Sequence, residues 1–125
     1  MSETKILLAE DNKLLASALQ ANLQDGGFSV VPSFDGQETL DKMKSEKPDI
    51  LLLDILLPVK NGFEVLEEIK KDEELKTIPV IILTNLAEDE NIDKAKELGA
   101  LEYLVKSNFT MDEVMPILKK YSKKD

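Results

Sequence analysis

Glu10 and Asp11 stand side by side where the apolar run KILLA stops, although carboxylates do nothing for a strand. Three further apolar runs end in a polar side chain: DILLLD in Asp54, PVIILT in Thr84 and LEYLVK in Lys106. Gathered in one cleft, three carboxylates repel one another unless a cation is present, and an all-oxygen donor set suits magnesium or manganese. Magnesium takes one or two carboxylates directly and keeps several waters. Asp11 and Asp54 are therefore expected as direct ligands and Glu10 as acting through water, with Lys106 balancing charge. A carboxylate beside a divalent ion, an ammonium and a hydroxyl can attack phosphorus, the acid serving as nucleophile while the cations neutralise the phosphoryl oxygens. Singly, each residue has an ordinary reading: Asp11 as a helix-start acid, Asp54 as a loop opener, Thr84 as a strand residue, Lys106 as a solvated charge. The case for chemistry is joint, and it depends on the fold bringing the four segment ends together.

Short apolar runs alternate with longer amphipathic segments, the pattern of a parallel sheet covered by helices. After KILLAE, Asn12 can cap a helix with apolar positions Leu14, Leu15, Ala18, Leu19 and Leu23, ending at Gly26 and Gly27. FSVV (28–31) reads as a second strand and DGQETLDKMKSEK as a polar helix burying mainly Leu40 and Met43, closed by Pro48. DILLLD (49–54) is a continuous run, as expected of a central strand buried on both faces. Residues 63–75 read as a helix with Phe63, Leu66 and Ile69 inward and Glu67 and Lys71 as an outward pair. PVIILT (79–84) is a fourth strand, EDENIDKAKELG a fourth helix stopped by Gly99, and LEYLVK (101–106) a fifth strand. TMDEVMPILKKY closes the set, with Thr110 and Glu113 as a capping box and Pro116 expected to bend the helix. Five strand–helix units thus fill one domain, residues 1–125, with only SKKD left over. In such doubly wound α/β sheets, ligands bind outside the carboxyl ends of the strands, which is where the five polar groups lie.

Composition narrows the chemistry further. The 125 residues suit one domain, and 42% apolar residues suffice for one core. A net charge of -9 argues against nucleic-acid binding, and all 16 basic residues are Lys, so no guanidinium fork is available. Cys and His are both absent, which removes disulfides, thiol nucleophiles, serine-type triads, imidazole-bound zinc and a phosphohistidine intermediate. No run resembles a signal segment or reaches membrane-spanning length, so a soluble, cytoplasmic protein with no membrane partner is expected.

The stretches ILLAEDN, DILLLDILLPVKNGFEVL, PVIILT and GALEYLVK together resemble, end to end, the receiver domain of bacterial two-component response regulators, of the single-domain chemotaxis or sporulation type. The resemblance implies a flavodoxin-like (βα)5 sandwich with parallel strands in the order 2-1-3-4-5. It implies that Asp54 accepts a phosphoryl group from a sensor histidine kinase, a phosphotransfer protein or a small phosphodonor, with magnesium required. Glu10 and Asp11 would hold the ion, the backbone carbonyl of Leu56 would be another ligand, and Lys106 and Thr84 would bind phosphoryl oxygens. Tyr103, three residues before Lys106, lies where the family carries its switch aromatic; its ordinary reading is a half-buried strand residue. Such a domain catalyses only its own phosphorylation and dephosphorylation. It would act through a downstream effector or an output domain outside this chain, as a monomer or a weak phosphorylation-dependent dimer.

The switch also has a reading independent of the family. A phosphoryl group adds about two negative charges and three acceptor oxygens to a site already crowded with acids. Thr84 can swing its hydroxyl toward it, and the vacated space could admit the Tyr103 ring from a more exposed position. The surface of the fourth helix, fifth strand and fifth helix would then meet a partner differently.

The sequence departs from the family where Ser107 follows Lys106 in place of proline. A cis bond before Ser costs about 2.5–4 kcal/mol, so a trans route to Lys106 is expected. Asn85 replaces the usual small residue after the Thr and would narrow access or add a hydrogen bond. Leu56 and Leu86 cannot position an attacking water, so slow self-hydrolysis is expected. Pro116 counts against dimerisation through the fifth helix. Three rivals remain to be weighed. A haloacid-dehalogenase-type phosphatase needs a second acid where Leu56 stands. An FMN carrier needs a hydroxyl- and glycine-rich first loop, where Glu10 and Asp11 would repel the phosphate. A receiver-like interaction module that is never phosphorylated would not require the full set of Glu10, Asp11, Asp54, Thr84 and Lys106.

Overall fold

Alternation within the strands sorts the core. In the computed structural model, which describes residues 3–122, five strands form one sheet: β1 (Lys5–Ala9), β2 (Ser29–Ser33), β3 (Ile50–Leu53), β4 (Val80–Thr84) and β5 (Glu102–Val105). All pairings are parallel and the order is β2-β1-β3-β4-β5, the order implied by the sequence resemblance. Leu7, Ala9, Leu51, Leu53, Val80 and Ile82 point to one face. There they pack against Leu40 and Met43 of α2 (Gly36–Glu46), Val65, Leu66 and Ile69 of α3 (Gly62–Lys70), and Ala95 of α4 (Asp89–Glu97). Ile6, Leu8, Ile50, Leu52, Ile81 and Leu83 point to the other face, against Leu19 and Leu23 of α1 (Lys13–Asp25) and Val114 and Leu118 of α5 (Met111–Lys120). Burial on both faces explains why β3 is an unbroken apolar run.

The local signals act largely as expected. Asn12 caps α1 by accepting the Leu15 N–H at 3.0 Å, and Asn61 and Glu64 form a capping box at α3 (3.0 and 2.9 Å). Glu113 returns its carboxylate to the Thr110 N–H at 2.9 Å. Pro32 falls in β2, an edge strand, where a missing N–H costs no ladder bond. None of the helices among the described residues is long and apolar enough to cross a membrane.

Several details differ. The buried residues of α1 are Ala16, Leu19 and Leu23, with Leu15 half-buried against the same layer, whereas Ala18 is exposed and Leu14 is 83% exposed. β2 extends to Ser33 because its partner β1 continues pairing to Ala9. α3 ends at Lys70, and Leu75 reaches the core from the following turns. Its Phe63 is half-buried, with the Lys94 ammonium 4.6 Å above the ring. The ion pair on its outward side joins Glu68 to Lys60 at 2.6 Å, in place of the Glu67–Lys71 pair. β5 stops at Val105, and Lys106 opens a 3-10 turn, Lys106–Asn108. α5 runs through Pro116 without interruption, with Val114 and Leu118 buried on either side of it. All peptide bonds among the described residues are trans, including Lys106–Ser107. Of the tail SKKD, residues 123–125 lie outside the described residues.

Two contacts yield predictions. The Gly36 N–H donates to the Pro58 carbonyl at 3.1 Å, and a Cβ at Gly36 would lie 1.9 Å from the Lys60 carbonyl oxygen. Gly36→Ala should therefore lower unfolding stability by about 1–3 kcal/mol in urea titration, since backbone rather than a flexible side chain must yield. On β5, the Tyr121 hydroxyl donates to Glu102 at 2.6 Å and, helped by Lys120, holds that carboxyl below its ordinary 4.5. Its contribution is present above pH 4.5 and is lost as pH falls through the lower folded value. Acid titration of stability should show a smaller loss in that window for Glu102→Gln.

Candidate functional site

The parallel ladder runs one residue past β1 and carries the acids with it. The Glu10 N–H donates to the Ser33 carbonyl (3.0 Å) and the Asp54 N–H to the Ala9 carbonyl (3.1 Å). Glu10 and Asp54 thus leave neighbouring strands at the same edge, and both are buried. Asp11, one residue further, is exposed. Each of the three offers a carboxylate oxygen within 4.8 Å of the others. Lys106 arrives from beyond β5 and bridges two of them, its ammonium donating to Glu10 Oε1 at 2.5 Å and to Asp54 Oδ2 at 2.8 Å. The remaining oxygens are held from the backbone: Asn12 N–H to Glu10 Oε2 (3.1 Å) and Leu56 N–H to Asp54 Oδ1 (3.1 Å).

Electrostatics favour a further cation. Burial pushes the Glu10 carboxyl above its ordinary 4.5, against the pull of Lys106 and the Asn12 N–H. Burial opposes charge on Lys106 too, but its hydrogen bonds to Asp54 and Glu10 outweigh that and hold the ammonium above its ordinary 10.5. One ammonium therefore faces three acids, and an all-oxygen cluster short of positive charge fits a hard divalent ion.

Thr84 ends β4 fully buried, and its Oγ1 is the buried side-chain oxygen without a hydrogen-bond partner among the described residues. Such a group is rare and signals a ligand or a functional role. Tyr103 is half-buried, packed against the core, and its hydroxyl donates to the Leu86 carbonyl at 2.9 Å. Burial, with the charges of Glu88 and Asp54, pushes that hydroxyl's pKa above 10.0. Half-burial agrees with the ordinary reading of Tyr103 as a strand aromatic. The structure ties it inward because the strand end that carries Thr84 also supplies the acceptor carbonyl.

Leu56 is 55% exposed and Leu86 is half-buried. Asn85 and Ser107 are exposed and, with Lys106, Leu15, Leu83 and Phe109, line a cavity of about 360 Å3 beside the ammonium. The sequence held no signal for this cavity, which forms between α1 and α5. Gly62 was also missed: a Cβ there would lie 2.6 Å from the Asp54 carbonyl oxygen. The Asn61–Gly62 dipeptide marks a tight approach that could have flagged it.

The chain matches the response regulator receiver domain family over residues 6–119. Among solved structures it is similar to the chemotaxis protein CheY4 of Vibrio cholerae, with 28% identity over 96% of this chain and 99% of that one, and a TM-score of 0.88. The BeF3-activated N-terminal receiver domain of RstA from Klebsiella pneumoniae also gives 0.88, at 28% identity over 96% and 99% of the two chains. The Mn2+-bound form of response regulator Rcp1 gives 0.84, at 30% identity over 98% and 96%. With four strand ends converging on an acidic cleft and a family match over nearly its whole length, the chain belongs to the receiver domains of two-component response regulators.

A buried hydroxyl with no partner costs about 1–3 kcal/mol, a penalty that a methyl group of the same shape escapes. Thr84→Val should therefore raise the urea midpoint of the unliganded protein. A lowered midpoint would show that the hydroxyl is already satisfied.

Proposed function

We propose that Asp54 is a phosphoacceptor and that its phosphorylation, supported by a divalent cation, resets the surface of α4, β5 and α5. The observation that carries this reading is the Asp54 carboxylate, buried yet placed within one acidic cluster and held by an ammonium at 2.8 Å. Glu10, Asp11 and Asp54, with the Leu56 carbonyl, would hold magnesium or manganese, which supplies charge neutralisation at the phosphoryl oxygens. The Mn2+ bound by Rcp1 supports this choice of ion.

The protein's own groups account for the rest. An Asp54 carboxylate oxygen attacks phosphorus, forming the P–O bond as the bond to the donor breaks, and the departing group takes the electron pair and a proton from solvent. Leu56 N–H orients the carboxylate, and Lys106 neutralises a phosphoryl oxygen. The donor is a histidine-phosphorylated kinase or phosphotransfer protein, or a small acyl phosphate. The Thr84 hydroxyl then gains the acceptor it lacks. Thr84 pairs with Val105 in the sheet, and Leu86 receives the Tyr103 hydroxyl, so a shift at Thr84 passes to Tyr103 and to the face an effector reads. A purely interaction-based module would not need all five polar residues at one edge.

Incubation with acetyl phosphate and Mg2+ should place a hydroxylamine-sensitive phosphate on the wild-type chain and none on Asp54→Ala. Equal labelling of the two, or none on wild type, would overturn the reading. Chelating the cation should abolish the signal.

A further inference from the structure

Among the described residues, five lysines are half-buried: Lys5, Lys42, Lys60, Lys70 and Lys106. Four of them meet a carboxylate at 2.5–3.2 Å, as expected of charges taken partly out of water. Lys70 does not. In a chain with 25 acidic residues a counter-ion is easily had, and Glu67 stands one turn back on the same helix. Lys70 makes no ion pair with it and donates instead to the backbone carbonyl of Lys76 at 3.1 Å. Other lysines without a carboxylate, such as Lys44 and Lys119, are exposed, so water compensates them.

Gly99 provides the seat for this side chain. It lies between α4 and β5 at φ +108°, a conformation open to glycine, and a Cβ there would lie 2.7 Å from Lys70 Cε and 3.3 Å from its Cδ. The methylene stem thus runs along bare backbone, while the hydrogen bond at its tip stays at the surface. The type of acceptor decides the chemistry. A carboxylate would hold the proton on the amine, whereas a carbonyl accepts equally from an ammonium and from a neutral amine whose lone pair is free. Burial with no counter-ion pushes the Lys70 ammonium below its ordinary 10.5.

We infer that Lys70 is a nucleophilic amine and a site of acylation by small activated acyl donors, either acyl phosphates or acyl thioesters. The Nζ lone pair attacks the acyl carbon, and the C–O bond to phosphate, or the C–S bond to a thiol, breaks as that group leaves with the electron pair. The nitrogen gives a proton to solvent and ends as an amide. That amide keeps an N–H for the Lys76 carbonyl, so the modification removes a charge without removing the contact. Acetyl phosphate offers two electrophilic centres, phosphorus to a carboxylate and the acyl carbon to an amine. Asp54 and Lys70 would take different ones at opposite ends of the sheet, since Lys76 and Gly99 lie on the segments entering β4 and β5 and Asp54 on the one leaving β3. The inference therefore stands apart from the phosphoacceptor reading.

The test incubates the full chain with acetyl phosphate or with acetyl-coenzyme A, in EDTA to keep divalent ions away, and follows acetylation of each lysine by peptide mass spectrometry. Lys70 should react about fivefold faster than Lys44 and Lys119 with at least one donor, and the donor that shows the preference identifies the source. In urea that unfolds the chain the three lysines should react alike, because the seat on Gly99 is gone. Asp54→Ala should acetylate at Lys70 at the wild-type rate. A Lys70 rate no higher than those of Lys44 and Lys119 with both donors would overturn the inference. A preference that survives unfolding would overturn it as well, by tracing the reactivity to local sequence. So would its loss in Asp54→Ala, which would route the acyl group through the acidic cleft.

Discussion

One ammonium held between two buried carboxylates organises this molecule. Lys106 sits 2.5 Å from Glu10 and 2.8 Å from Asp54, and removing one partner from such an arrangement costs about 3–5 kcal/mol because a buried charge is left uncompensated. Those three residues come from three strand ends that are 44 and 52 positions apart in sequence. Only a sheet that sets β1 beside β3, with β4 and β5 to one side, brings them together. The two apolar layers hold that sheet flat enough in register for the acids to meet. Core and site are therefore one construction: the continuous burial of ILLL in β3 is what places Asp54, through its N–H to the Ala9 carbonyl, next to Glu10.

The edge of the sheet is less settled than its centre. Thr84 Oγ1 is buried without a partner among the described residues, Val59 is twisted to positive φ, and three clustered acids have one ammonium, which pairs with two of them. A chain selected for stability alone would relieve all three with single substitutions. All three lie on the segments at or just beyond the carboxyl ends of the strands, the part of the fold where local stability yields to function.

Much of this was legible beforehand because the signals were local and redundant. Each apolar run declared a strand, and four of the five ended in a polar residue at the carboxyl edge of the sheet, FSVV being the exception. What escaped were features set by tertiary geometry. The inward face of α1 is built from Leu15, Ala16, Leu19 and Leu23, and Leu14 falls on the solvent side. Lys106 reads as a strand residue from its apolar neighbours, yet the chain turns there into a 3-10 turn. The inward Tyr103 depends on a carbonyl at Leu86, 17 residues away, and the φ of Val59 depends on a loop pinned at both ends. Hydropathy carries no information about any of these.

Ser107, the departure from the family pattern, bears on how Lys106 is placed. With a trans bond and no proline ring, the position of the ammonium rests on two other constraints. Val105 is locked opposite Thr84 in the β4–β5 ladder, and the 3-10 turn carries the next three residues away from it. The residue that would sense the phosphoryl group thus pairs with the residue just before the one that would neutralise it. A displacement of Thr84 toward a new acceptor would drag Val105, and with it the root of Lys106, toward the same oxygens. In the proposed switch the two groups would be linked through the ladder, with no contact between their side chains required.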